Sequence, residues 1–248
     1  MQEHEQRARF QHFLSELAIL GSLQGFHYFQ PWLRGREELL LTVVNDDLVG
    51  SLFLCLSLFV FSLRLFYIKN VNVDSHLLPA SPSEREIAVP EMNCTLFLLA
   101  GYAKYGQPYV WIRSNHERLV NVGGTDTLVK DTPMKLKSIT DWVSTSQGTH
   151  VWDVVSELVG LCTMPPPDNP FSLDMRYLQT LSLPERFLVT GALLNFLEMI
   201  VVQGSREEPF YDLVVEELKP LRRLHFQSLS EVQRFQGSDR TPSPLFAN

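Results

Sequence analysis

Apolar positions along the chain fall into blocks, and the spacing within each block predicts an element. Residues 7–20 place Phe10, Phe13, Leu14 and Leu17 on one face at helical spacing, and Gly21 and Gly25 break the helix. Residues 26–33 are aromatic and loop-like, with Pro31 inside, and 37–44 suit a strand or a short helix. The run 48–68 carries one charge, Arg64, and is long enough to cross a bilayer. Gly50, Ser51, Ser57 and Ser62 interrupt it, and Phe53, Leu56, Val60, Leu63 and Tyr67 recur at helical spacing. A helix or strand pair buried in a globular core is therefore expected there, with membrane association as the alternative. Residues 76–88, with Pro79 and Pro82, read as a linker or surface loop.

The next block has clear start and stop signals. Pro90 suits a first helical position and Glu91 complements the helix dipole. Met92, Leu96, Leu99 and Ala103 line one face, and Leu98 and Tyr102 widen it. Gly106 fits a left-handed position after a helix, and Pro108 prevents continuation. A short amphipathic docking helix over 91–105 is expected. Residues 109–113 and 117–122 alternate as a β-hairpin would, with Ser114-Asn115-His116 as the turn. A short helix or strand over 135–143, a helix over 151–162 and a stiff proline-rich loop over 164–170 follow. The strongest helical signals are 183–202 and 209–226, the latter with Pro220 marking its end. The tail 237–248 is expected to be disordered. The fold class expected is α+β: mainly helical, with a small antiparallel β-hairpin or sheet in the middle, in a single domain over 1–236.

Composition sharpens this picture mostly by exclusion. With 45% apolar and 20% charged residues the chain has the balance of a folded protein. The formal net charge is −7 and no basic stripe is present, which argues against direct nucleic-acid binding. The densest basic cluster, Arg222, Arg223 and His225, lies where a helix C-terminus is expected and complements its dipole. Cys55, Cys94 and Cys162 form no C-x-x-C pair, so neither a disulfide framework nor a zinc site is indicated, and a reducing compartment fits. Asn93-Cys94-Thr95 matches a glycosylation sequon, a pattern common by chance. The polar start Gln2-Glu3-His4-Glu5 is unlike a signal peptide.

Catalytic signatures are missing. His4, His12, His27, His76, His116, His150 and His225 show no His-x-x-x-His spacing. There is no G-x-S-x-G, phosphate loop or G-x-G-x-x-G, and Gly123-Gly124-Thr125-Asp126 is best explained as a turn. Glu207-Glu208 and Glu216-Glu217 suit solvated helix surfaces. Asp141 and Asp153 near His150 make an acid–base group on paper, but nothing in the pattern forces them together. No catalytic residues, metal ligands or cofactors are assigned, and the protein is expected not to be an enzyme.

The segment from Val89 resembles the P-zero silencing suppressors of poleroviruses, a plant-virus family. That family carries an F-box-like motif, Leu-Pro-x-x-Leu/Ile followed at a distance by Pro. The parallel positions are Pro90, Gly101, Gly106 and Pro108, with the strand 109–113 following. Val89 replaces the first Leu, Asn93 stands where an apolar anchor is expected, and Met92 offers one from the position before. A rival copy, Leu183-Pro184-Glu185-Arg186-Phe187, matches the Leu-Pro-x-x-apolar spacing better but lacks the close trailing Pro.

The resemblance implies an adaptor function. Such a protein recruits the host Skp-type adaptor of a cullin ubiquitin ligase and directs host Argonaute to degradation, in the host cytoplasm. The adaptor-binding segment would be 89–108, with Val89, Pro90, Met92, Leu96, Leu99 and Pro108 as its contacts, or alternatively Leu183, Pro184 and Phe187. The alternative function is a membrane-associated viral structural or regulatory protein that recruits no ligase, resting on 48–68 and placed at endomembranes.

Overall fold

The computed structural model describes residues 2–45, 93–102, 104–114, 133–140, 142 and 149–238. The expectations for 46–92, for the second hairpin strand at 117–122 and for most of the tail lie outside the described residues. The fold class is α+β: among the described residues there are helices and a four-stranded antiparallel sheet. The chain divides into two compact units: residues 1–21 with 28–167, and residues 22–27 with 168–248.

The first unit holds α1 (Gln2–Leu20), β1 (Phe29–Leu33), β2 (Glu38–Val44), β3 (Cys94–Ala100), β4 (Tyr109–Ser114), α2 (Lys137–Thr140) and α3 (Val151–Cys162). The sheet order is β1-β2-β3-β4, each neighbour antiparallel. β1 lies where a loop was expected. Pro31 is tolerated because β1 is an edge strand, where the missing N–H breaks no second ladder.

The main correction concerns the docking helix. Residues 94–100 form the inner strand β3, all seven of whose residues are buried. A strand covered on both faces loses its alternation and becomes a continuous apolar run, here Cys94-Thr95-Leu96-Phe97-Leu98-Leu99-Ala100. Helical spacing can be picked out of any such run, so periodicity cannot identify it. Leu39, Leu99 and Val110 sit in register across β2, β3 and β4 and are fully buried. Trp32, Leu40, Leu98 and Trp111 make the corresponding row on the other face. Immediately after β3, Gly101 faces α1. A Cβ there would lie 2.8 Å from a methyl of Leu14, so a side chain would push the helix away from the strand end.

The apolar face expected for α1 is the one that packs. Phe10, Phe13 and Leu17 are buried, and both phenylalanines meet Trp142 edge to face. α3 buries Val151, Val154, Val155, Leu158 and Cys162 as its spacing predicts. Its Glu157 accepts the backbone N–H groups of Lys137 and Ser138 and the Ser138 hydroxyl, which satisfies the otherwise unpaired start of α2.

The second unit holds α4 (Met175–Thr180), α5 (Leu183–Gln203) and α6 (Tyr211–Ser238). Phe26, Phe171, Phe196 and Phe210 form an aromatic core with ring centroids 5.4–6.5 Å apart. α5 and α6 are antiparallel partners, joined by Arg186 to Ser228 and Glu231, Thr190 to His225, and Glu198 to Arg222. Pro220 does not end the last helix, which runs through it to Ser238. Val214, Leu218, Leu221 and Leu224 stay buried on both sides of the proline, and that packing outweighs one lost backbone bond. The basic cluster is therefore in mid-helix, with Arg222 paired to Glu198 rather than to a helix end. Glu217 is also not a solvated surface group: it accepts from the Ser172 hydroxyl at 2.9 Å and the Leu173 N–H at 3.3 Å.

Candidate functional site

Val89, Pro90 and Met92 lie outside the described residues. Leu96 and Leu99, expected on the exposed face of a docking helix, are 5% and 0% exposed within β3. Each is held between two neighbouring strands and has no surface to offer a partner. Asn93 lies in an exposed turn, and Pro108 is buried just before β4. Gly106 does adopt the expected left-handed backbone (φ 67°), but it does so in the connection between two strands and not after a helix.

The alternative motif is a different case. Leu183 opens α5, with Pro184 in its first turn, where the missing N–H costs nothing. Ser182 precedes the helix and its hydroxyl hydrogen-bonds Glu185 at 2.8 Å, while its carbonyl accepts from the Arg186 N–H. Pro184 is exposed, Leu183 and Phe187 are half-buried, and Leu188 is 68% exposed. Phe187 lies flat on the His225 ring of α6, with centroids 4.9 Å apart and planes 16° apart. His225 in turn meets Phe226 at 6.2 Å, and Phe226 is 62% exposed.

Polar contacts hold this aromatic row in place. The Thr190 hydroxyl lies 2.9 Å from His225 Nδ1. Arg186 donates to the Ser228 hydroxyl and pairs with Glu231 at 2.6 Å. Gly191 leaves room for the imidazole, since a Cβ there would stand 3.1 Å from His225 Cε1. The result is a proline-led helix start with solvent-facing apolar groups on a braced two-helix support. Sequence spacing located Leu183, Pro184 and Phe187. It had no means of finding His225 and Phe226 beside Phe187, which the pairing of α5 with α6 supplies.

A second cluster, in the first unit, was not expected. Glu16 of α1 is a buried carboxylate, 1% exposed. Its Oε1 lies 3.0 Å from His12 Nε2, one turn earlier on the same helix, and 2.6 Å from His150 Nδ1. Its Oε2 accepts the Val151 N–H at 2.9 Å, at the exposed-dipole end of α3. His150 is stacked on Trp152 with centroids 4.1 Å apart, and its backbone N–H donates to the Asp153 carboxylate at 2.8 Å. Asp153 is thus engaged in starting α3. Asp141 lies outside the described residues.

Burial disfavours charge on His150, but the hydrogen bond and charge of Glu16, helped by Asp153, outweigh it and raise its pKa above the ordinary imidazole value. His12, Glu16 and His150 together place three metal-ligating atoms within 4.8 Å of one another. The one sequence signal for this cluster was the His12–Glu16 spacing of four on a helix. His150 arrives from 134 residues away.

Among known proteins, a family described as a domain of unknown function, DUF7886, matches residues 81–227. No curated protein and no solved structure matches the chain.

Proposed function

The chain belongs to the DUF7886 family, described as a domain of unknown function. We propose, from the Leu-Pro motif at the start of α5, that it is a viral suppressor of host RNA silencing. In this reading it acts as an F-box-like adaptor without catalytic chemistry of its own. It recruits a Skp-type adaptor of a cullin ubiquitin ligase in the host cytoplasm and promotes degradation of host Argonaute. Docking runs through the start of α5, not through 89–108.

The observation that carries the reading is the Leu183-Pro184-x-x-Phe187 motif at a helix start with exposed apolar neighbours, Leu188 and Phe226. Helix-in-groove recognition needs a rigid helix presenting a few apolar anchors, and such anchors supply most of the binding energy. The stacking of Phe187 on His225 and the Arg186 contacts pre-order the surface, which lowers the entropy lost on binding. The net charge of −7 supports protein partners over sequestration of RNA.

Co-purification from plant cells tests the proposal. The full chain recovers a Skp-type adaptor and lowers Argonaute abundance. The double substitution Leu183→Ala with Pro184→Ala loses both effects while keeping its helical circular dichroism. Failure of the unsubstituted chain to recover any such adaptor refutes the reading, and undiminished recovery by the folded double variant refutes the docking site. The membrane alternative rests on 48–68, outside the described residues. No helix among the described residues is long and apolar enough to cross a membrane.

A further inference from the structure

We propose that His12, Glu16 and His150 form a binding site for a zinc ion that ties α1 to the start of α3. Two imidazoles and one carboxylate are a donor set for a borderline divalent metal, with a fourth position left to water. The His12 and Glu16 donors project from the same face of α1, because residues four apart lie one above the other. His150 Nδ1 completes the set from the residue that precedes α3.

The spacing of the donor atoms suits a small ion. Zinc bonds of about 2.0–2.2 Å in a tetrahedron separate their ligand atoms by roughly 3.3–3.6 Å. Glu16 Oε1 now lies 3.0 Å from His12 Nε2 and 2.6 Å from His150 Nδ1, and all three atoms are within 4.8 Å of one another. Side-chain movements of under about an ångström therefore turn a proton-bridged cluster into a coordination sphere. The buried carboxylate needs a positive partner in either state, and a dication satisfies it while leaving both histidines neutral.

The surroundings already orient the donors. Val151 N–H holds Oε2, which points Oε1 at the imidazoles. The stack on Trp152 fixes the plane of the His150 ring, and Asp153 fixes its backbone. Supporting contacts of this kind orient metal ligands and tune their affinity. Access is from the His12 side, whose ring is 51% exposed.

The test uses the untagged full chain, stripped with chelator and titrated with Zn²⁺ by calorimetry and with Co²⁺ by visible absorption. One equivalent binds, the Co²⁺ spectrum shows tetrahedral d–d bands, and no sulfur-to-metal charge-transfer band appears, which sets the site apart from Cys55, Cys94 and Cys162. Zn²⁺ raises the thermal midpoint of the first unit. His12→Ala, a change at a half-exposed position that leaves the fold intact by circular dichroism, lowers Zn²⁺ affinity at least about tenfold. Absence of stoichiometric binding by the folded chain overturns the proposal and leaves an ion-paired cluster only. An unchanged affinity and Co²⁺ spectrum in His12→Ala overturns it equally.

Discussion

Leu99→Ala separates a core strand from a docking helix at the same residue. Leu99 is fully buried at the middle of the sheet, opposite Leu39 on β2 and Val110 on β4, both also fully buried. Truncation removes three carbons. At about 0.8 kcal/mol per buried methylene the transfer loss is roughly 2.4 kcal/mol. The cavity left between two strands, neither of which can move in without disturbing its ladder, brings the total to about 3–4 kcal/mol, within the range of buried Leu→Ala changes.

The assay is urea unfolding followed by tryptophan fluorescence. All four tryptophans, Trp32, Trp111, Trp142 and Trp152, lie in the first unit, so the signal reports the unit that contains Leu99. With a slope of about 1–3 kcal/mol per molar urea, the midpoint falls by at least about 1 M. A Leu99→Ala midpoint within error of the parent refutes the burial argument. The same result combined with lost adaptor binding would return 91–105 to the helical docking role first expected of it.

Two further outcomes follow from titrating groups. Burial pushes the Cys162 thiol up to about 12, with only a partial opposing effect from its hydrogen bond with Thr95. Its thiolate fraction at pH 8 is therefore about 10⁻⁴, and peptide mapping after iodoacetamide treatment finds Cys162 unmodified in the native protein and modified in urea; rapid native labelling would contradict its burial. For His150 the folded pKa is raised above the unfolded value, so the folded state holds its proton more tightly. With chelator present, its contribution to stability is complete below about pH 6.5 and is lost as pH rises through the folded pKa. The urea-midpoint advantage of the parent over Glu16→Gln consequently shrinks as pH rises above about 6.5, and an advantage that grows with pH would show the sign to be wrong.

Periodicity in the chain was informative where one face of an element is buried and the other is wet. The stripe Phe10, Phe13, Leu17 on α1 and the face Val151, Val155, Leu158, Cys162 on α3 are of this kind, and their helices appear where expected. So does the start of α5, because Ser182, Leu183 and Pro184 are local signals of a helix N-terminus. The same local reading misplaced β3 and β1. Both faces of β3 are covered, so its sequence has no period, and Pro31 is excluded from a strand only when that strand is flanked on both sides. It also ended α6 at 226, where the structure carries the helix on to Ser238.

The sequence by itself determined the mixed fold class, most of the helices, and the Leu-Pro-x-x-Phe segment at the head of α5. Each of these is set by residues within a turn or two of one another. The tertiary structure alone decided that Leu96 and Leu99 are core, that Phe187 is braced by His225 beside an exposed Phe226, and that Glu16 meets His150. The last of these joins groups 134 residues apart. Such a contact comes from packing α1 against α3 in the first unit, and no local pattern encodes the desolvation that makes its partners necessary.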